Sequence, residues 1–230
     1  MNPKLSIVVP SHNESGNLKR LVPELTKALS VLGDEYEVIV VDNASTDDTK
    51  STVEALSKQF SHVRSVFEPE KGFGRALLSG LRAGKGEVLG YIHADNQMSP
   101  EEVVRIYEKL IAEKLDVCKA RRINRSDGVT RFIISRVYNL LFRLMFRVTL
   151  KDINGSPKLF TRRFFNEAHI ESVDWFIDPE IIIKAKRMNA RLGELDIHTF
   201  RRESGVSQVR LKTIFEFFKN MFHYWRGEKN

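Results

Sequence analysis

Residues 87–97 read Glu-Val-Leu-Gly-Tyr-Ile-His-Ala-Asp-Asn-Gln, and they give the clearest indication of the architecture. The apolar first half is short and follows Gly86, which predicts a buried strand. Asp95 and Gln97 would then lie in the turn after this strand, where oxygen ligands can hold a divalent cation. Ligands also bind at that edge of an open α/β sheet. The alternative is that Asp95 only caps the helix that begins near Ser99.

The first half of the chain alternates between strand-like and helix-like segments. The apolar runs that read as strands are residues 5–9, 36–41, 63–67 and 88–92. The helix-like segments between and after them are residues 17–32, 47–59, 73–83 and 100–114. Continuous apolar strands joined by helices predict an α/β fold, with a mostly parallel sheet covered by helices on both faces.

Charge and cysteine content narrow the class of protein. The 230 residues include 37 Lys and Arg against 30 Asp and Glu, and the formal net charge is +7. A basic block between Lys119 and Arg147 indicates an anionic partner, such as a phosphate or an anionic membrane surface. The single cysteine, Cys118, excludes an internal disulfide and a Cys-type metal site. Because no signal peptide or membrane span of ~18 apolar residues is visible, we expect a cytoplasmic protein, at most peripheral to the membrane.

Polar loops follow the first two predicted strands. Asn13 and Thr46 in these loops are typical helix N-caps, whereas Asp42 comes directly after its strand and has no capping role. Near the start of the third helix, Gly72 and Gly74 would let the backbone approach a ligand closely. The neighbouring side chains of Lys71 and Arg75 are suited to phosphate. The spacing is neither that of a Walker loop nor that of a dinucleotide-binding fingerprint.

Two basic amphipathic helices are predicted in the second half, at residues 131–148 and 211–225. In the first of them, Arg136, Arg143 and Arg147 fall within about 40° of one another on a helical wheel. Aromatic and aliphatic residues cover the far side of both helices. Such helices either pack their apolar faces on the sheet or lie in a membrane interface, and the sequence leaves both alternatives open.

Five segments, taken in order, resemble the family 2 glycosyltransferases of the GT-A fold. Within that family they are most similar to the dolichyl- and polyprenyl-phosphate mannose synthase group. The segments are Pro10-x-x-Asn13-Glu14, residues 40–49 (Val-Val-Asp-Asn-Ala-Ser-Thr-Asp-Asp-Thr), Lys71-Gly72, Ala94-Asp95-x-Gln97 and Arg202-x-x-Gly205-x-Ser207. The resemblance implies a GT-A catalytic domain at residues 1–210, followed by a C-terminal amphipathic helix at residues 211–230.

The resemblance also implies roles for individual residues. The nucleotide-sugar donor would contact Pro10, Asn13, Glu14, Asp42, Asn43, Lys71, Ala94, Asp95, Arg121, Arg202 and Ser207. A Mg²⁺ or Mn²⁺ ion would be held by Asp95, Gln97 and His93. Catalysis would involve Asp95, Arg202, Glu180 and Asp152. The phosphate of a lipid acceptor is expected to meet Arg122, Arg125 and Arg131, which are well placed in the sequence, and the resemblance adds the helix that carries Arg136.

The chain departs from the pattern of that family at three positions. His93 stands where the family often has Asp, so the usual Asp-x-Asp metal site becomes His-x-Asp; histidine favours softer ions than Mg²⁺. Asn43 replaces a second Asp after Asp42. Gln208 replaces a Lys, which removes one phosphate contact.

The chemistry implied by the resemblance is inverting transfer of a sugar from a nucleotide donor to a polyprenyl phosphate at the cytoplasmic membrane face. A lipid phosphate is already ionised, whereas a hydroxyl acceptor in polysaccharide or glycolipid synthesis needs a base, for which Asp152, Asp178 and Glu180 are the candidates. A separate membrane-spanning subunit is a further possible partner. The remaining alternative is a non-catalytic module that binds nucleotides or nucleic acid. Against nucleic acid as a partner, acids at strand ends repel polyanions.

Overall fold

The computed structural model describes residues 3–124, 129–200 and 211–227, with their side chains except at 124–133 and 211–215. The described strands form one seven-stranded sheet in the order β3-β2-β1-β4-β6-β5-β7. These strands are β1 (Leu5–Ser11), β2 (Tyr36–Asn43), β3 (Val63–Glu68), β4 (Val88–Tyr91), β5 (Val117–Asn124), β6 (Lys158–Thr161) and β7 (Leu192–His198).

Helices connect the strands and cover the sheet. The described α-helices are α1 (Ser15–Leu29), α2 (Thr49–Gln59), α3 (Phe73–Ala83), α4 (Glu101–Ala112), α5 (Val129–Phe146), α6 (Arg162–Ala168), α7 (Ile177–Arg187) and α8 (Leu211–Trp225). A short 3-10 turn, Ser30–Leu32, follows α1. All four strands and all six helices predicted from the sequence are present, with ends shifted by a few residues.

The pairing of the strands confirms a mostly parallel sheet. β1 pairs in parallel with β2 and with β4, β2 with β3, and β5 with β7. β6 runs antiparallel to both of its neighbours, β4 and β5. All the other strands therefore end at one common edge, here called the carboxyl edge, and the loop that precedes β6 lies at that edge too.

The core has two layers, one on each face of the sheet. Successive side chains of a strand point to opposite faces, so Val8 and Ile39 join one layer while Ile7 and Val38 join the other. Helices α1, α2 and α4 pack on the face of Ile7, and α3, α5, α6, α7 and α8 pack on the opposite face. The predicted coverage of both faces is confirmed. The two edge strands are less buried: after Val63 the side chains of β3 alternate between partly buried and exposed, and in β7 only Ile197 is buried.

Helices α5 and α8 each pack one face in the core, which is the first of the two alternatives that the sequence left open. Tyr138 and Phe142 of α5, with Met221 and Tyr224 of α8, are buried in the core layer of α7. The other side of α5 stays exposed and carries apolar residues: Val137, Leu140, Leu141 and Leu144. Within the described residues, none of the helices has both the length and the apolarity to cross a bilayer.

Candidate functional site

The loops after β1 and β2 are bonded to each other at the carboxyl edge. The Asn13 side chain accepts a hydrogen bond from the Thr46 backbone N–H at 2.8 Å and donates one to the Thr46 hydroxyl at 3.2 Å. The backbone N–H of Glu14 donates to the Thr49 hydroxyl at 2.9 Å. The prediction that Asn13 and Thr46 are helix N-caps is therefore wrong, because these side chains join the two loops.

Asp42 lies beneath these loops at the end of β2. It is only 3% exposed, and its Oδ1 accepts a hydrogen bond from the Ser45 backbone N–H at 3.2 Å. Its other oxygen, Oδ2, is buried and has no hydrogen-bond partner within the described residues. A buried carboxylate oxygen without a partner costs free energy, which a donor group on a ligand would recover. Pro10, buried in β1 beside Val41, and Glu14, at the start of α1, lie at the same edge.

Asn43 and Lys71 also lie at this edge, but both are bonded to the chain. The Asn43 side chain donates to the Glu70 carbonyl at 2.7 Å and accepts from the Gly72 backbone N–H at 2.8 Å, so it fixes the loop before α3. The Lys71 ammonium lies 2.8 Å from Nε2 of His12, whose Nδ1 lies 2.7 Å from the Asn43 carbonyl oxygen. His12 therefore holds Lys71 at the carboxyl edge.

Asp95 lies in the turn after β4, as predicted. Its Oδ1 accepts a hydrogen bond from the Gln97 backbone N–H at 3.2 Å, and its side chain is partly exposed. The alternative of a helix cap is wrong, because the carboxylate bonds within its own turn whereas α4 begins only at Glu101. The Gln97 carbonyl accepts a hydrogen bond from the backbone N–H of Phe200, the last described residue before 201–210, at 2.8 Å.

His93 belongs to a stack of aromatic rings. Its ring centroid lies 5.2 Å from that of Phe73, which in turn stacks on Trp175 at 4.3 Å with an interplanar angle of 8°. Burial lowers the pKa of the His93 imidazole, against the opposing influence of the Asp95 and Asp178 carboxylates. The ring is therefore neutral at pH 7, and its buried Nε2 has no partner within the described residues.

The glycines at the start of α3 make close contact with another segment of the chain. A Cβ added to Gly72 would lie 2.8 Å from the Val173 carbonyl oxygen, and one added to Gly74 would lie 2.3 Å from the Ser172 carbonyl oxygen. The predicted close approach is real, but the backbone of 172–174 takes the place expected for a ligand. Arg75, proposed as a phosphate contact, pairs with Glu70 at 3.0 Å.

The three carboxylates predicted as candidate bases are all engaged. Asp152 accepts two hydrogen bonds from the Arg122 guanidinium, at 2.7 and 2.8 Å. The fully buried Glu180 accepts from the backbone N–H groups of Glu171 at 3.0 Å and Ser172 at 2.7 Å. The expected catalytic part for Glu180 therefore gains no support, because its oxygens hold the segment before α7.

Asp178 is held by a different set of bonds. It accepts from the Tyr91 hydroxyl and pairs with the Lys158 ammonium at 2.6 Å. Burial alone would raise its pKa, but Lys158 and these hydrogen bonds keep that pKa below its ordinary value. As a result Asp178 stays ionised and does not cap α7 with its side chain.

The predicted arginines are dispersed. Arg121 pairs with Asp196 on the neighbouring strand β7, and Arg122 is the partner of Asp152. Arg136 is exposed on α5. The remaining predictions lie outside the described residues or side chains: Arg125, Arg131, Arg202 and Ser207.

Comparison with known proteins decides the family. The amino-acid sequence matches the model of glycosyl transferase family 2 over residues 6–169, a span that includes both Asp42 and Asp95. The chain belongs to glycosyl transferase family 2. The predicted family is thereby confirmed.

Curated relatives of this family 2 chain include undecaprenyl-phosphate 4-deoxy-4-formamido-L-arabinose transferases. Those of Yersinia pestis (strain Pestoides F) and Yersinia pseudotuberculosis (serotype O:3, strain YPIII) are each 30% identical over 213 residues. The match covers 90% of this chain and 63% of each relative. The chain thus spans less than two thirds of the length of these relatives.

Solved structures confirm the predicted GT-A fold. Glucosyl-3-phosphoglycerate synthase from Mycobacterium tuberculosis, in complex with Mn²⁺, uridine diphosphate and phosphoglyceric acid, superposes with a TM-score of 0.77 at 15% identity. The match covers 98% of this chain and 79% of that one. The complex of the same enzyme with Mg²⁺ and uridine diphosphate gives a TM-score of 0.74 at 16% identity, covering 98% and 80%.

The residues of this family 2 site suit a hard cation only if the substrate supplies further ligands. The described residues contain no cluster of three or more His, Cys, Asp or Glu side chains able to share a metal ion. Mg²⁺ is commonly bound by one or two carboxylates together with phosphate oxygens and water. The partly exposed carboxylate of Asp95 fits that arrangement. The side-chain oxygen of Gln97 offers another hard ligand, whereas the stacked His93 is a less suitable one.

Sequence reasoning identified neither His12 at the carboxyl edge nor the two lysines in the strands below it. His12 follows a strand and Lys71 precedes a glycine-rich helix start, so the two side chains are available to bond each other. Lys119 and Lys158 were missed because their strands, β5 and β6, were not predicted. The signal was present in the apolar neighbours of each lysine, Val117 and Cys118 in one strand and Leu159 and Phe160 in the other.

Proposed function

We propose that this chain transfers a sugar, with inversion, from a nucleotide sugar to a polyprenyl phosphate at the cytoplasmic membrane face. The observation that carries the proposal is the carboxyl edge. Asp42, whose buried Oδ2 has no partner within the described residues, lies at the end of β2. The partly exposed Asp95 lies in the turn after β4, and only β1 separates these two strands. The curated relatives, which are undecaprenyl-phosphate 4-deoxy-4-formamido-L-arabinose transferases, support the choice of acceptor.

The donor would lie across this edge. Asp42 would accept hydrogen bonds from the nucleoside, with Pro10, Asn13, Glu14 and Asn43 shaping its pocket. Lys71, held by His12, would face the anionic part of the donor. Arg121 and Arg202 would add positive charge beside the diphosphate, where their forked donors match phosphate oxygens.

A divalent cation, Mg²⁺ or Mn²⁺, would be held by Asp95 and Gln97. When bound, it supplies Lewis-acid stabilisation of the charge that builds on the departing diphosphate. Asp95 and Gln97 are preorganised for this role, because the turn is fixed by the Gln97 N–H to Asp95 bond and by the Phe200 contact. Fixed groups of this kind usually contribute the largest share of catalysis.

The engaged carboxylates favour a phosphate acceptor over a hydroxyl acceptor. Arg122 forms a two-bond pair with Asp152, Lys158 neutralises Asp178, and backbone N–H groups occupy Glu180. A hydroxyl acceptor needs a base to remove its proton, whereas a lipid phosphate is already ionised. No base is then required, and the basic residues Arg122, Arg125, Arg131 and Arg136 would attract the acceptor.

The exposed side of α5 supports a peripheral position on an anionic membrane. Arg136 and Arg143 share a side of about 160° with the exposed apolar residues Val137, Leu140, Leu141 and Leu144, and the exposed Arg147 follows the end of the helix. Arginine next to exposed leucine is typical of an interfacial helix. Each arginine near an anionic surface adds about 1 kcal/mol to binding. The proposal also includes a separate membrane-spanning subunit as a further partner.

Vesicle sedimentation tests the membrane position. We expect the protein to pellet with phosphatidylglycerol vesicles and not with phosphatidylcholine vesicles. The double variant Leu140→Glu/Leu144→Glu should stay in the supernatant, since it removes side chains that are 54% and 67% exposed. Val31→Glu, at an equally exposed valine away from α5, is the matched control. Equal sedimentation of both variants would contradict the assignment of α5.

Transfer of label tests the reaction. Purified protein is incubated with labelled nucleotide sugars, Mn²⁺ or Mg²⁺, and polyprenyl phosphate in detergent. We expect label on the lipid phosphate and none on the matched polyprenol, which lacks the phosphate. Label found only on oligosaccharide hydroxyls would reject the phosphate acceptor and favour the alternative of a hydroxyl acceptor.

A further inference from the structure

Two lysines face each other in the core below the carboxyl edge. Lys119 of β5 is the cross-strand partner of Lys158 of β6, and both are 0% exposed. Cross-strand partners project from the same face of a sheet, and like charges directly opposite each other are destabilising. The row continues with Tyr91 of β4 beside Lys158 and Glu194 of β7 beside Lys119. Because two buried like charges are unfavourable, we expect this pair of lysines to have a structural or functional role that offsets its cost in stability.

The two ammonium groups bind consecutive backbone carbonyls of one loop. Lys119 donates to the Asp152 carbonyl, and Lys158 donates to the Ile153 carbonyl at 3.4 Å. Each lysine also pairs with a carboxylate: Lys119 with Glu194 at 3.2 Å, and Lys158 with Asp178 at 2.6 Å. The lysines therefore hold the segment 151–155, here called the lysine-held loop.

Other contacts fix the same loop from its remaining sides. Glu194 accepts hydrogen bonds from the backbone N–H groups of Lys151 at 2.8 Å and Asp152 at 3.1 Å. The Ile153 backbone N–H donates to the Asn139 side chain on α5 at 3.0 Å. A Cβ added to Gly155 would lie 2.1 Å from the Ala120 carbonyl oxygen, so the loop lies directly against β5.

The lysine-held loop lies across β4 from Asp42, on the side where the proposed function places the acceptor. The strand order places the Asp42 strand on one side of β4 and places β6, β5 and β7, which carry this loop, on the other. The loop presents the Asp152–Arg122 pair, and Oδ1 of Asn154 is buried with no partner within the described residues. An N–H or O–H group of a ligand would satisfy that oxygen.

We propose that Lys119 and Lys158 are positioning residues that fix the lysine-held loop for reaction with the acceptor. The inference rests on the proposed function and adds two residues that touch neither substrate. They act through the carbonyls of Asp152 and Ile153, which set the direction of the Asn154 and Asp152 side chains. Their loss should impair use of the acceptor and leave donor binding intact.

The test compares three variants with a control. Lys119→Met removes one ammonium group. The double variant Lys158→Met/Asp178→Asn removes the other together with its partner, so that no unpaired carboxylate is left in the core. Gly155→Ala shifts the loop by steric contact while both lysines remain. The control is Arg64→Met, near the start of the edge strand β3. It removes a cation that is bonded to the Glu37 carboxylate and the Ala83 carbonyl.

Two quantities are measured on variants shown to be folded by circular dichroism and thermal melting. We expect kcat/KM for polyprenyl phosphate to fall about 100-fold in all three variants, the effect of a displacement of about 1 Å near the reacting groups. The Kd for the nucleotide sugar should change by no more than about twofold, as for a distant independent site.

Three results would overturn the inference. The first is acceptor kinetics no worse than those of Arg64→Met, and the second is a parallel loss of donor affinity, which a general loss of structure would produce. The third is absence of transfer by the wild-type chain, which overturns the proposed function and this inference with it. In the first two cases the wild-type chain still transfers label, whereas in the third it does not. Failure of this inference is therefore distinguishable from failure of the proposed function.

Discussion

The two ends of the strand pair β1–β2 carry the same kinds of residue and treat them differently. At the edge where the parallel strands begin, here called the amino edge, Ser6 lies opposite Glu37. At the carboxyl edge, Ser11 lies opposite Asp42. The Ser6 hydroxyl donates to the Glu37 carboxylate at 2.7 Å. The Ser11 hydroxyl donates instead to the carbonyl of Val9, and Oδ2 of Asp42 remains without a partner within the described residues.

The difference separates structural polar groups from those available to a ligand. Glu37 also accepts from the Lys85 backbone N–H at 2.6 Å and the Arg64 guanidinium at 2.8 Å, so every bond it needs comes from the chain. A buried polar atom without a partner reduces stability. Natural chains retain such atoms mainly at functional sites. The amino edge therefore stabilises the fold, whereas the carboxyl edge keeps a polar atom available to the ligand that we propose.

The largest effect that we predict is loss of transfer on removing the Asp95 charge. Asp95→Asn keeps the size of the side chain and weakens its hold on a cation, so kcat should fall by about 100- to 1,000-fold, as for loss of one preorganised stabilising group. The rate of label transfer from nucleotide sugar measures it. Asp34→Asn, at a side chain 97% exposed near the amino edge, is the control. Retained turnover in Asp95→Asn would remove the distinction between the two edges.

The next predicted effect is a loss of nucleotide-sugar affinity without a loss of stability. Asp42→Asn replaces the carboxylate at the end of β2 by an amide, and a hydrogen bond to a charged group contributes about 1.5–3 kcal/mol. The affinity for nucleotide sugar should fall accordingly, by about 10- to 100-fold. The melting temperature without ligand should stay equal or rise. Calorimetric titration and a thermal melt on the same sample provide both values, and a lowered melting temperature with unchanged affinity would contradict the account.

The converse effect is expected at the amino edge. Glu37→Gln leaves Arg64 without its ionic partner and disturbs the bonds to Ser6 and Lys85. The free energy of unfolding should fall by about 1–3 kcal/mol. Urea denaturation measures this fall, and nucleotide-sugar affinity should remain that of the wild type. A weakened affinity would show that the two edges are coupled.

The same contrast explains what the sequence could predict. Strands β1, β2 and β4 were visible because an apolar run dominates each of them: all eight side chains of β2 are buried, and Val38 to Val41 form an uninterrupted apolar run before its polar end. Asp95 and Asp42 were recognisable for that reason, as acids directly after apolar strands. Local pattern and chemistry agree in this half of the chain.

The strands of the second half could not be predicted from an apolar run. β5 contains Lys119, Arg121 and Arg122, and β6 begins with Lys158, so neither shows the apolar run that identifies a buried strand. The partners that make these charges tolerable, such as Glu194 and Asp178, are distant in the sequence. Tertiary pairing decided the structure there, and the engagement of Asp152 and Glu180 could not be read from spacing.

The last predicted effect is a gradual pH dependence of stability at the lysine-held loop. Burial lowers the pKa of Lys158 to about 8, although Asp178 opposes the shift. Since the unfolded chain holds this proton up to a pH of about 10.4, stability should rise between about pH 8 and 10, by at most about 1.4 kcal/mol per pH unit. Lys158→Met lacks this rise. Denaturation of both proteins across the interval measures the difference, and parallel curves would contradict it.

Thermal shift with nucleotide sugars tests the central claim most directly, namely that the carboxyl edge binds the donor through a cation at Asp95. UDP- and GDP-linked sugars are added with and without Mn²⁺, and a ligand present at 100 times its Kd adds about 2.7 kcal/mol of stability. We predict that one donor raises the melting temperature of the wild type far more with Mn²⁺ than without it. We also predict that this dependence on metal disappears in Asp95→Asn. Equal shifts with and without metal, unchanged by the substitution, would contradict the account.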